Sequence, residues 1–490
     1  MNRRLLALAA AAVLTGCAAG PGVHARQADL MPAAEVPAET AGTTGDTVAP
    51  AAVDTGDGVG DELFPDLGNP GLDVQHYDVA LSYDPAAGTI AGSVGLDVVL
   101  TEDRDELTLD SLGPIIEQVT VDGAEAESDA DGPELRIELP QPGHEGDELR
   151  LEVEYRVDPQ DHPSAVGLEN GWTNTGGGSY VLNEPDGART WLPCNDHPSD
   201  KATFTFTLSV PAGITAVANG ALTSQRTEGD RDVWVWDETL PMATYLIQLL
   251  TGNYEIVEGE TPDGLPLTSA VPTGERATIQ PFLDVTPEMI AFFERWFGEY
   301  PLDRYGLAMA DSPVGLAMET QGRSLFSEDD FRGGQLDYST EGLLSHELAH
   351  QWFGDAVSPA RWKDIWLNES FATYGQWMWA AHGADVDGEA EFALASRSPG
   401  SSADPSVGEM FSGNSYDGGA VVLHALRRTI GDDAFFELLQ RWVADNNGES
   451  RATQDFVTLA EEVSGRDLAD FFDTWLFADQ PPSEYPQPAG

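Results

Sequence analysis

Four residues in one stretch have the types and spacing for metal-assisted hydrolysis. His346-Glu347-Leu348-Ala349-His350 is followed, after eighteen intervening residues, by Glu369. Histidines four apart on a helix project from one face, so both imidazoles can reach a single Zn²⁺ while the glutamate between them lies beside the metal's open position as a general base. HExxH alone is short enough to recur by chance, and two histidines can share a helix face as a packed or solvated pair. Glu369 separates the readings, because catalytic zinc takes three protein ligands and a water, and a carboxylate from a second helix can supply the third.

Two helices and a break must position these groups. Gly354 and Ser358-Pro359 interrupt the first helix, and Trp362 to Tyr374 resumes a helical pattern that can fold back to present Glu369. Trp352, Trp362, Trp366, Trp377 and Trp379 read as the core of this pair rather than as a ligand platform. His382 and His424 have no partner at metal spacing and read as packed or surface histidines.

The flanks His350-Gln351-Trp352-Phe353-Gly354-Asp355 and Trp366-Leu367-Asn368-Glu369-Ser370-Phe371-Ala372 resemble those of the M1 family of zinc aminopeptidases, a branch of the gluzincins, with Ser370 where glycine is usual. The resemblance implies an α+β multidomain chain: an N-terminal all-β domain followed by a mainly helical, thermolysin-like catalytic domain. It implies one Zn²⁺ per chain on His346, His350 and Glu369, with Glu347 as the base. Tyr416, in Ser415-Tyr416-Asp417-Gly418-Gly419-Ala420, matches the family's catalytic tyrosine, whose hydroxyl steadies the oxyanion.

Leu316-Ala317-Met318-Glu319-Thr320 resembles the family's GAMEN exopeptidase motif. Ala317, Met318 and Glu319 are kept, which implies substrate binding along the strand and capture of the α-ammonium by Glu319. Asn183-Glu184-Pro185-Asp186-Gly187-Ala188-Arg189 resembles the Gln-x-Glu-Pro-x-x-Ala-Arg element of the β-domain, with Leu182 at the glutamine, and implies Glu184 as a second amine-binding carboxylate. The implied activity is removal of N-terminal residues from peptides. The alternatives are an epoxide hydrolase-like member of the family and a non-catalytic peptide-binding lipoprotein.

The 490 residues carry 84 acidic against 24 basic side chains, a formal net charge of −60. Such a field repels nucleic acid and anionic headgroups and argues against either as a partner. Arg3-Arg4, the apolar run Leu5 to Leu14 and Leu14-Thr15-Gly16-Cys17 read as an export signal (1–17) ending in a lipobox, so Cys17 is expected to carry lipid and anchor the protein on the extracytoplasmic face of a bacterial membrane. Cys194 is then the remaining cysteine and is expected to be buried and unpaired.

Residues 18–61 are rich in Ala, Pro, Thr, Gly and Asp and read as a disordered tether. A period of two marks 62–257 as the β-domain, as in Phe204, Phe206, Leu208 and Val210. Helical spacing dominates 258–478, with a helix expected to start at Thr286-Pro287 and others over Val421 to Thr429, Asp432 to Ala444, Thr453 to Val463 and Asp467 to Phe477. A Pro-rich tail, 479–490, is expected to close the chain where many relatives continue into a C-terminal helical domain.

Overall fold

The structure is a computed structural model and describes residues 58–488 apart from 131, 160–163 and 169. Cys17, the export signal and most of the tether lie outside the described residues.

The first domain is built on an eight-stranded sheet. Leu72–Asp84 pairs parallel with Lys201–Pro211 and antiparallel with Thr89–Leu100. Lys201–Pro211 shows how the sequence makes this sheet: Ala202, Phe204, Phe206, Leu208 and Val210 all turn to the core, and the residues between them are half-buried. A four-stranded sheet is ordered 215–218, 249–252, 179–182 and 171–174, and Glu184 lies two residues past the end of 179–182.

A five-stranded sheet follows, ordered 254–260, 266–272, 307–310, 324–327 and 317–318. The expected division between 257 and 258 therefore falls inside a strand. Tyr254–Glu260 pairs along its whole length with Pro266–Pro272, which puts it in the second domain and moves the division to about Asn253.

Helices α1 (Arg276–Phe297), α2 (Tyr338–His350), α3 (Trp366–Ala380), α4 (Asp387–Ser396), α5 (Gly419–Ile430), α6 (Asp432–Asn446), α7 (Thr453–Ser464) and α8 (Ala469–Trp475) complete that domain. Helix α1 differs from expectation: it begins ten residues before Thr286 and runs through both Pro281 and Pro287. An internal proline costs about 3 kcal/mol, but Ile279, Phe282, Met289, Ile290, Phe293 and Phe297 share the buried face, each contributing about 1.5–3 kcal/mol. Thr286 does not cap the helix; its hydroxyl donates to the Phe282 carbonyl, 2.8 Å away.

The two domains share apolar packing. Met318, Leu325, Trp362, Ile365 and Met410 of the second domain belong to the core of the first. Polar bonds reinforce the seam: Lys201 Nζ donates to the Asp355 and Ala356 carbonyls at 2.7 and 3.2 Å, and the Tyr245 hydroxyl donates to the Gly354 carbonyl at 3.1 Å.

The ends of the body also depart from the expected divisions. Asp61, placed in the tether, is buried and accepts from the amides of Leu63, Phe64 and Trp362. Tyr485, placed in the tail, lies parallel to Trp475 with ring centres 5.7 Å apart and donates to the Ala390 carbonyl at 2.8 Å.

Candidate active site

Helix α2 starts at a capping box. The Asp337 carboxylate accepts from the amides of Ser339 and Thr340, and the Thr340 hydroxyl accepts from the Asp337 amide. Leu344, Leu348 and Ala349 anchor the helix in the core. Gly354 then turns the chain with φ +133, where an added Cβ would lie 3.3–3.4 Å from the Asn368 amide and the His350 ring. The close approach of α2 and α3 therefore depends on glycine there.

The fold-back brings three donors together. His346 Nε2 lies 3.1 Å from His350 Nε2 and 3.3 Å from Glu369 Oε2, and His350 Nε2 lies 3.4 Å from the same oxygen. Tetrahedral zinc with bonds of about 2.0–2.1 Å demands ligand atoms about 3.3–3.4 Å apart, so the triangle fits that ion. His350 Nδ1 donates to the Phe353 carbonyl at 3.1 Å, which leaves the Nε2 lone pair free for a metal.

Gln376 stands beside His346, where its side chain counters part of the lowering that burial imposes on the ring. The sequence reading missed it. The signal was its position seven residues, two helical turns, after Glu369 on α3.

The electrostatics also call for a cation. Burial opposes ionisation of Glu369, but hydrogen bonds from His346 and His350 outweigh it and hold the carboxyl down at about 2. Burial likewise disfavours a charged His350, yet Glu319, Glu369 and Glu347 raise it well above the ordinary imidazole value. Burial pushes Glu347 and Glu184 well up, Glu319 adding to both. A divalent ion would relieve this crowding of negative charge.

The residues that the motifs implied converge here. Glu319, at the end of the edge strand Ala317–Met318, clusters with Glu347 and His350, with ligand atoms within 4.8 Å of one another. Glu184 arrives from the first domain, and its carboxyl senses Glu319, Glu369, His350 and Glu347. Glu184 Oε1 and Glu319 Oε1 are buried and, among the described residues, have no hydrogen-bond partner. The Tyr416 ring centre lies 6.0 Å from that of His346, and its hydroxyl donates to Glu369 Oε1 at 3.1 Å.

The bystanders read from the sequence stay outside the site. His424 is buried with Nε2 3.2 Å from Asp387, His382 is exposed, and Cys194 is buried and free. The five tryptophans are core.

Comparison with known proteins finds relatives of both domains. The Peptidase M1 N-terminal domain matches residues 73–246 and the Peptidase family M1 domain matches 282–475. A probable aminopeptidase of Sulfurisphaera tokodaii is 26% identical over 433 residues, and a leucyl aminopeptidase of Saccharolobus solfataricus is 27% identical over 430, each covering 83% of the chain. The chain spans about half the length of these curated relatives, 53% of each. A two-domain M1 zinc metallopeptidase bound to L-arginine superposes with a TM-score of 0.81 at 32% identity, over 88% of this chain and 100% of that one. An M1 zinc metallopeptidase variant from Deinococcus radiodurans, bound to a Tyr-Ser-Ala substrate, gives 0.78 at 32% identity over the same shares.

Proposed function

Because the chain belongs to peptidase family M1, we propose that it is a zinc-dependent aminopeptidase releasing residues from the free N-terminus of peptides. The observation that carries this reading is the pair of buried oxygens on Glu184 and Glu319 that, among the described residues, have no hydrogen-bond partner, beside the His346-His350-Glu369 triangle. A substrate α-ammonium would satisfy both oxygens, whereas an internal peptide bond would leave two buried carboxylates unmatched.

When bound, zinc supplies a Lewis acid that polarises the scissile carbonyl and acidifies water to a pKa of about 7. Glu347 then accepts the proton of the attacking water and passes it to the leaving amine, a shuttle favoured by the raised pKa that burial gives it. The Tyr416 hydroxyl, kept protonated chiefly by burial and by the negative charge of Glu369, donates to the developing oxyanion without adding full positive charge. Residues 3–17 support export and lipid anchoring at Cys17, and the net charge of −60 supports a peptide rather than a nucleic acid as partner.

Zinc content measured together with turnover of a panel of aminoacyl anilides, each free and N-acetylated, tests the assignment. Strong preference for the free set is expected. Equal cleavage of the acetylated set would sink the aminopeptidase reading.

A further inference from the structure

The edge strand Ala317–Met318 ends at Glu319, and the chain then reverses over Thr320, Gln321, Gly322 and Arg323. The Arg323 amide donates to the Thr320 carbonyl at 3.0 Å, and Gly322 takes φ +72, as the third position of a type II turn requires. An edge strand followed by a turn is a soft platform for a carboxylate that must meet an ammonium in one place. Side chains from both domains hold it firm.

From the C-terminal cap of α2, Gln351 Nε2 donates to the Glu319 carbonyl at 3.1 Å and Gln351 Oε1 accepts from the Gly322 amide at 2.8 Å. From the first domain, Asn219 Nδ2 donates to the Gln321 carbonyl at 3.0 Å, while the Gln321 amide donates to the Leu246 carbonyl at 3.3 Å. Gln248 Nε2 donates both to Thr320 Oγ1 at 2.9 Å and to the Arg323 carbonyl at 2.7 Å.

Arg323 closes the lattice. It is 1% exposed, and its guanidinium donates to the carbonyls of Ala218 (2.6 Å), Gly220 (3.3 Å) and Thr268 (2.7 Å) and to Gln248 Oε1 (3.1 Å), 4.9 Å over the Trp236 ring. Burial drives its pKa down to about 9. Desolvating a guanidinium among carbonyls is costly, and an apolar side chain would fill the same space more cheaply. What the charge adds is direction: its planar fork fixes strands of two domains relative to one another.

We propose that Gln248, Thr320 and Arg323 are positioning residues for recognition of the substrate ammonium, the first domain gripping the Thr320–Arg323 turn so that Glu319 is held at a set distance from the metal and from Glu184. The proposal rests on the aminopeptidase reading above. It also accounts for Thr320 at the end of the Ala317-Met318-Glu319 motif: its side chain is 1% exposed and serves the seam.

The test is steady-state kinetics of the zinc-loaded full chain on a free-amine aminoacyl anilide, with zinc content measured on the same samples. Thr320→Val keeps shape and removes the hydroxyl; Gln248→Met removes the amide; Thr320→Ser restores the donor and acceptor. Loss of one or two buried hydrogen bonds should raise KM roughly 3- to 10-fold with kcat changed less than about threefold and zinc unchanged, and Thr320→Ser should return KM to the wild-type value. If Gln248→Met fails to fold, the milder Thr320→Val still decides. An unchanged KM in folded Thr320→Val, or a fall in kcat that tracks loss of zinc, would overturn the proposal. Equal cleavage of free and N-acetylated substrate by the wild type would instead remove the aminopeptidase reading, and this inference with it.

Discussion

The hydroxyl of Ser370 donates to the carbonyl of Ser415, 2.6 Å away. Ser370 directly follows the metal-site carboxylate Glu369, and Ser415 directly precedes Tyr416, so one hydrogen bond ties the acid and the phenol together. The helical turn Asn414–Gly418 that carries Tyr416 packs so closely on α3 that a Cβ on Gly419 would lie 1.8 Å from Ser370 Oγ. Gly419→Ala should therefore lower kcat by about 10- to 100-fold by displacing Tyr416 while zinc stays bound. Ser370→Gly in the same chain should recover much of that loss by opening the space. Strictly additive effects in this double-mutant cycle would show that the contact does not control the tyrosine.

Glu347→Gln removes the base but none of the three donors. Turnover should fall by about 10³-fold with zinc stoichiometry preserved. Tyr416→Phe should cost about 10²- to 10³-fold in kcat with little change in KM, because the donor acts where charge develops. Wild-type hydrolysis by the glutamine variant, in single-turnover assays, would refute the assigned chemistry.

Stripping the metal should destabilise the fold as well as silence it. Glu184, Glu319, Glu347 and Glu369 sense one another's charge, and a bound cation would offset them. At saturation about a thousandfold above Kd, zinc contributes about 4 kcal/mol, so treatment with a chelator should lower Tm by roughly 5 °C or more and restored zinc should reverse it. Calorimetry with and without metal measures this; identical melting curves would mean the site carries no such load.

Stability should also fall as pH rises from about 4 to 7, owing in part to Asp196. Burial and the neighbouring Asp110 push its carboxyl up to about 7, against hydrogen bonds from Thr244 and the Arg189 amide. The folded value lies above the unfolded one of 3.8. Between about pH 4 and 7 the folded protein therefore holds a proton that the unfolded chain has already released, so this contribution declines across that window and is gone above about pH 7. Asp196→Asn should flatten the slope of stability against pH in this window by up to about 1.4 kcal/mol per pH unit. A parallel slope in wild type and variant would assign the dependence elsewhere.

Lipidation is checked by expression of the full chain in a bacterium that processes lipoproteins. Radiolabelled fatty acid should enter the wild type and not Cys17→Ala, and detergent partitioning should change accordingly. Incorporation into the alanine variant would rule out Cys17 as the acceptor.

Much of the chemistry could be read from the chain because helices repeat every 3.6 residues, so that His346 and His350 announce a shared face through their spacing, while the motif that Glu369 completes depends on the fold-back after Gly354. The alternating strands around Phe204 to Val210 were equally plain. Other features depend on partners distant in sequence. Helix α1 looked as if it began at Thr286-Pro287, since nothing local shows that Ile279 and Phe282 are buried against the same core. Tyr254–Glu260 alternates no differently from the strands before it, and only its partner Pro266–Pro272 assigns it to the second sheet. Gln248 and Arg323 carry no motif at all; their roles exist only once two domains meet.

That meeting also limits how such a protein can be rearranged. Trp362 and Ile365 complete the first domain's core while lying between the two metal helices. The catalytic half is consequently not a portable module. An exchange that brought in a foreign β-domain would have to carry matching side chains at Asn219, Tyr245 and Gln248, or the amine-binding acids and the metal would lose their common frame.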